Sequence, residues 1–486
     1  MRPNSGRSWR LQWAGLGLAW LLGACGGGPA GSEASRPVVD AGPDAGVDQG
    51  LDAGTDAGSP GPTFEQIPGW SLRRRMRAAA GNDVALEERL ASFTVAEFGA
   101  SRIQRIDAPG SPSWNAPDGL LIEDAALHPS GAVSAVLVDA DFGVWLARLG
   151  PDLALLQLAQ LDDPAVATDP FPDAGIAPPT TLVANSLPRD SVRAAADGED
   201  VVVAVTTTLE SVLLYRIAFT TRWEAPRRTL VMSVSHHIPF LPIGGSFDTF
   251  GAMWSSFRSL LDVDPDGNAY VAFWADPRKL QLHRQFTGDD VQPLSPERFS
   301  RDSDVLLEKF DRSGARLWSR VVGTLNEDEP YAIRAAATEV AVVGRSRRVP
   351  GEDNTFWDGF IAVSGADGTV RPSRTFQLEA SSIFLSVDAL PEGGWVVGGS
   401  DGWAQNPQGL SIGGSGVKLL AALPAPDAGL FRIALSAGPR NNEIRTVLAG
   451  APGLWFGGHE DGPVMHTGDG DLSQIHATGV LGFVAR

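Results

Sequence analysis

One cysteine in 486 residues leaves no partner for an intramolecular disulfide and no sulfur cluster for zinc. Positive charge is also scarce. Against 58 acidic residues stand 39 lysines and arginines, a formal charge of −19 and a pI near 4.8. So acidic a chain fits neither nucleic acid nor charge-driven attachment to an anionic membrane surface. Histidines number seven, at 128, 236, 237, 283, 459, 466 and 476, and only two are adjacent. Neighbouring positions on a strand point to opposite faces, so even that pair makes no ligand set. No His-Glu-x-x-His, Ser-x-x-Lys or Gly-x-x-x-x-Gly-Lys-Ser/Thr run occurs, which leaves metal-hydrolase and nucleotide-dependent classes without support. Disorder of the whole chain is excluded by the 43% hydrophobic content, and 56 glycines with 35 prolines argue against a helical bundle.

The N-terminus reads as an address. Arg2, Arg7 and Arg10 precede a twelve-residue apolar run at 11–22 (LQWAGLGLAWLL), too short to span a bilayer and suited to a signal-peptide core. Leu22-Gly23-Ala24-Cys25 follows, placing the single cysteine directly after small residues. This tetrapeptide resembles the lipobox of bacterial lipoproteins. The resemblance implies a signal peptide over 1–24, cleavage before Cys25, lipidation of Cys25, and an envelope protein held to the membrane by its acyl chains. Acyl chains contribute ~0.8 kcal/mol per buried methylene, so several anchor where one does not. Gly26 in place of aspartate after the cysteine permits the outer membrane, which is the expected location. The alternative is an ordinary secretory signal with a cysteine by chance.

Residues 25–62 read as the lipidated cysteine and a tether. Asp40, Asp44, Asp48, Asp52 and Asp56 recur every fourth position among alanine, glycine and other small residues, so no face can be buried. Such a spacer has a root-mean-square span of ~35 Å and a contour limit of ~125 Å. Residues 63–99 form a lead-in, where the alanine, glutamate and arginine of 72–91 predict a short helix with Asn82 or Asp83 as a cap. Its arginines at 73, 74, 75 and 77 fit a solvated face better than an anion site.

From 100 to 486 short apolar runs recur: VSAVLV (133–138), VVVAV (201–205), AYVAF (269–273), VAVV (340–343), GWVVGG (394–399) and LWFGG (454–458). Their length, β-branching and unbroken apolarity predict strands covered on both faces. Turn sequences such as Asp311-Arg-Ser-Gly314 and Pro265-Asp266-Gly267-Asn268 predict tight corners between them. Residues 304–347 resemble the repeats of bacterial β-propellers. With a unit of roughly 40–70 residues, this implies an all-β fold, a single β-propeller. Counting first strands gives six blades, with seven as the alternative if another lies in 230–303. The last residues, Leu481–Arg486, look like the first strand of a unit with no unit left to follow. They predict a ring closed by pairing with the N-terminal end, the remaining strands coming from 101–107 and 121–138. A pair of β-sandwiches explains the strands but not this leftover one.

Chemistry is sparse. Gly398-Gly399-Ser400-Asp401-Gly402 matches the nucleophile-elbow pattern, but the Trp403-Ala-Gln-Asn-Pro that follows cannot open a helix, so a strand exit is expected. Asp262, Asp264 and Asp266 match the front of a calcium loop, yet Phe273 stands where the closing glutamate belongs, and a polar hairpin corner is the competing reading. Calcium is therefore the one cofactor suggested. The loop over 238–254 carries Phe247, Phe250 and Trp254 on a glycine- and proline-rich segment. That makes it a candidate ligand-binding loop, or an apolar plug of the ring. The expected function is a lipid-anchored, non-catalytic binding or scaffold module of the cell envelope, with an envelope protein or glycan as partner. The alternative is an exported propeller enzyme, carbohydrate-active or quinone-dependent, with its site at the central mouth.

Overall fold

The computed structural model describes residues 63–68, 70–77, 83–89, 101–106, 111–139, 143–161, 192–206, 212–232, 259–294, 303–348, 357–376, 381–405, 411–412, 417–423, 431–437, 441–450, 453–462 and 478–485. Cys25, the aspartate-rich spacer, Phe247, Phe250 and Trp254 lie outside them.

The strand Ala269–Ala275 (AYVAFWA) is buried at every position, and so is its partner Asp304–Phe310. Strands buried on both faces need a neighbouring sheet on each side. The described strands accordingly form seven small antiparallel sheets, the blades of a β-propeller. In chain order the blades occupy 70–115, 120–160, 192–232, 259–322, 328–376 and 381–437, and a seventh joins 441–485 to Thr63–Pro68. Apolar clusters lie between successive blades. One joins Tyr270 and Leu307 of blade 4 to Val342 and Phe360 of blade 5.

The predicted all-β propeller is thus the observed fold, and the sheets give the larger of the two blade counts. The extra blade is not in 230–303. It begins in the stretch read as a lead-in, where Trp70–Arg77 pairs antiparallel with Asp83–Arg89 and no helix forms. Met76, Val84 and Leu86 of these strands are buried against Ile103 and Val133. That burial overrides a helix propensity worth only tenths of a kcal/mol per residue. Conversely, a helix that sequence reading passed over spans Pro277–Thr287. Asp276 caps it by accepting from Lys279 N, proline opens it, and Gly288 closes it at φ 77°. Asp-Pro before and glycine after were the available signals.

The repeat legible in the sequence is offset from the blade by two strands. Residues 304–347 supply the outer pair of blade 4, Asp304–Phe310 and Arg316–Val322, and then the inner pair of blade 5, Asp328–Ala335 and Glu339–Arg347. This offset explains the chain's end. Thr478–Ala485 is the third strand of blade 7, and its outer neighbour is Thr63–Pro68, in the register Thr63↔Phe483 to Pro68↔Thr478. Closure between the two ends holds as predicted, but not the partners expected for it. Ser101–Arg105 belongs to blade 1, and Leu120–Leu127 with Val133–Asp139 to blade 2.

Corners behave as turn chemistry dictates. Asp311 Oδ1 accepts from the backbone N–H groups of Ser313 and Ala315, with Gly314 at φ 87°. At the corner between blades 2 and 3 a buried network forms. His128 bonds the Gly198 carbonyl at 2.8 Å and Ser134 Oγ at 2.7 Å, while Arg148 pairs with Glu199 at 2.6 Å. Burial, and then the nearby Arg148 charge, push the His128 imidazole down to about 4. The unfolded chain therefore takes up this proton near pH 6.5, while the folded ring refuses it until about pH 4. Stability from this group is complete above pH 6.5 and falls by roughly 3 kcal/mol between pH 6.5 and 4. Urea midpoints across that range should slope downward in the wild type and flatten in His128→Gln. An equal slope in both would assign the acid sensitivity elsewhere.

Candidate functional site

Each blade's first strand faces the ring axis, and these strands run in the same sense. Asp262 near the end of Ser259–Val263 meets Ala335 at the end of Asp328–Ala335, and Asp388 meets Ala449 near the end of Asn441–Gly450. Between the strands lies a cavity of about 560 Å³ lined by residues of all seven first strands. Among the described residues its wall mixes charged, polar and aliphatic side chains.

Irregularities in three first strands shape the mouth. In blade 5 Pro330 pairs with Gly344 and Ala332 with Val343, which leaves Tyr331 as an extra residue. In blade 6 Phe384 pairs with Gly399 and Ser386 with Gly398, leaving Leu385. In blade 7 Ile444 pairs with Gly458 and Thr446 with Gly457, leaving Arg445. A β-bulge bends its strand and re-aims the extra side chain, and all three of these residues line the cavity. The glycine opposite each bulge is required by the geometry. A Cβ would sit 1.9 Å from Glu329 O at Gly344, 1.8 Å from Ile383 O at Gly399, and 1.9 Å from Glu443 O at Gly458. The expected strand exit at Gly399 is instead a paired position inside the strand Trp395–Gln405. The repeated Val-Val-Gly and Trp-Phe-Gly endings were the signal for the bulges, and it went unread.

Around the bulges the charged groups are paired. Glu329 accepts from Arg345 Nε at 2.9 Å and from Tyr331 Oη at 3.0 Å. Arg345 also stacks over the Trp357 ring at 4.3 Å. Arg445 Nε meets Glu443 Oε2 at 3.0 Å. At the far end of the cavity Arg334, of blade 5, reaches both neighbours: Asp388 Oδ1 at 2.8 Å and Asp262 Oδ2 at 3.4 Å. Each aspartate also accepts a backbone N–H of the next blade at 2.7 Å, Asp262 from Ala335 and Asp388 from Ala449. Asp124 does the same for Ala194 at 3.0 Å, so blades 2, 4 and 6 are each stitched to their successor through an inner-strand aspartate. Burial raises the Asp388 carboxyl above the usual carboxylate range, against the opposing pull of Arg334.

The calcium candidates do not converge. Asp262 faces the cavity and Arg334. Asp264 is consumed in its own corner, where it accepts from Asp266 N, Asn268 N, Asn268 Nδ2 and Tyr270 Oη, with Lys309 Nζ at 3.5 Å. Among the described residues no group of three histidine, cysteine or carboxylate side chains is placed to hold a metal ion. The polar-corner reading is what the geometry supports. Ser400 lies within the paired strand Trp395–Gln405 and is fully buried, not at a strand-to-helix turn.

No family model matches the chain, and no curated protein matches it. Solved structures resemble it in fold at low identity. A protein of unknown function from Dyadobacter fermentans is 10% identical with a TM-score of 0.42, over 87% of this chain and 100% of that one. The α-L-arabinanase of Penicillium chrysogenum, solved with arabinobiose, is 9% identical with a TM-score of 0.39, over 87% and 99%. The GH93 α-L-arabinofuranosidase of Fusarium graminearum is 11% identical with a TM-score of 0.39, over 84% and 92%. These chains are similar to this one as folds, and the similarity assigns it no family.

Proposed function

We propose that this protein is a lipid-anchored, non-catalytic binding module of the bacterial cell envelope, held in the outer membrane through Cys25 and binding its ligand in the central cavity. The observation that carries the binding role is the pairing of the cavity's carboxylates. Asp262, Asp388 and Glu443 each meet an arginine, and Asp124 caps a backbone N–H. Glycoside cleavage needs two carboxylates divided between proton donor and base or nucleophile, and carboxylates held by guanidinium or backbone donors are poorly placed for that division. Paired charges around a cavity of this size suit recognition, since pockets of about 300–1,000 Å³ accommodate small organic ligands.

A second reading, an exported enzyme on the same ring, draws on the raised carboxyl of Asp388 at the far end of the cavity. It predicts loss of turnover in Asp388→Asn with the fold retained.

The anchor rests on the order of basic start, apolar core, small residues and cysteine. Metabolic labelling with an alkyne fatty acid is expected to tag the wild type and not Cys25→Ser, and the variant should leave the membrane fraction. An unlabelled wild type would remove the anchor from the proposal and leave the cavity argument standing.

A further inference from the structure

The three bulges set different chemistries side by side at one level of the ring: a phenol at Tyr331, an isobutyl group at Leu385 and a guanidinium at Arg445. Ile383, on the same strand as Leu385, lines the cavity and is partly exposed, as Leu385 is. Arg445, with 33% of its side chain exposed, is steadied by Glu443. Arg193 of blade 3 lines the same cavity.

We propose that the cavity binds short peptides ending in an aliphatic residue, with the free terminal carboxylate at Arg445 and the aliphatic side chain against Leu385 and Ile383. This inference rests on the cavity being the ligand site and names the ligand's class. Two features favour a peptide over a sugar. Sugars are bound on open aromatic faces, whereas Trp357 is 4% exposed with its ring covered by Arg345 at 4.3 Å and Arg347 at 5.3 Å, and Arg345 also stands 5.8 Å from the Tyr331 ring. Leu385 and Ile383 are both partly exposed and aliphatic, and suit a branched side chain of similar size. Planar bidentate recognition of a carboxylate is what a fixed guanidinium does best.

The test is calorimetry on the full mature chain with trileucine, trileucine amide and maltotriose. Trileucine is expected to bind saturably and its amide at least tenfold more weakly. Leu385→Trp should abolish binding by filling the cavity, and Arg445→Gln should weaken trileucine about tenfold while leaving the amide unchanged. Because Leu385→Trp can strain the ring, its melting temperature is measured alongside, and Arg445→Gln decides the matter if that variant unfolds. Equal binding of acid and amide overturns carboxylate recognition. Binding of maltotriose alone, lost in Leu385→Trp, overturns the peptide class and leaves the cavity as the site. Peptide binding unchanged in both variants overturns the cavity reading itself. No binding of any probe at millimolar concentration overturns the inference.

Discussion

Arg334→Met is expected to lower the stability of the ring by about 3 kcal/mol, with the deficit shrinking as the pH falls. The side chain ties the inner strand of blade 5 to those of blades 4 and 6 through Asp262 and Asp388, which are 6% and 5% exposed. Removing the cation leaves two buried carboxylates without their counter-charge, and breaking such a pair from one side costs about 3–5 kcal/mol. Arg334 is itself 42% exposed to the cavity, so water screens part of the interaction and the lower end of that range applies. The pH trend has a definite sign. Burial already raises the Asp388 carboxyl, and a group raised on folding contributes stability that is lost as pH rises through its folded value. Without Arg334 that value climbs further, so the variant should recover most of its loss in mildly acidic buffer. Urea midpoints for both proteins at neutral and mildly acidic pH measure this. A deficit that does not change with pH would mean that Arg334 acts through packing alone.

Gly399→Ala should cost more than 3 kcal/mol, although it adds one methyl group. The new carbon would sit 1.8 Å from Ile383 O and 3.0 Å from Phe384 Cα, both backbone atoms of the paired strand. No side-chain rotation relieves a contact with the main chain, so either the pairing opens or the bulge at Leu385 is lost. Overpacking that side chains can absorb costs about 1–3 kcal/mol, and this site lacks that escape. Gly393→Ala is the control: it lies in the corner of the same hairpin at φ 99° with no atom within 4 Å, so only the backbone penalty applies, about 1–2 kcal/mol. Denaturation midpoints of the two variants should therefore separate clearly. If Gly399→Ala matched Gly393→Ala, the bulge would be plastic rather than fixed by the glycine.

Strands and corners were legible because their signals are local. Ala269–Ala275 and Glu339–Arg347 are read from largely unbroken β-branched and aromatic residues, and the corners at Asp264 and Asp311 from their Asp-x-x-Gly pattern. The first blade escaped because Trp70–Arg77 carries four arginines and its buried face is completed only by blade 2. Burial across blades is a long-range fact, and helix propensity is not. The cavity was legible only as a place. Tyr331, Leu385 and Arg445 share neither residue type nor motif, and what unites them is a register slip opposite a glycine. Asp262 and Asp388 lie 72 and 54 residues from Arg334 along the chain, and only ring geometry brings the three to one point.

The pairing of Thr63–Pro68 with Thr478–Ala485 sets a direction for the whole molecule. Asn441–Gly450 runs from the bulge at Arg445 toward the far end of the cavity, and strands alternate outward through Gly453–Gly462 and Thr478–Ala485 to Thr63–Pro68. Thr63 therefore stands on the far face and Pro68 on the face of the bulges. The chain that precedes Thr63 joins the ring on the side away from Tyr331, Leu385 and Arg445.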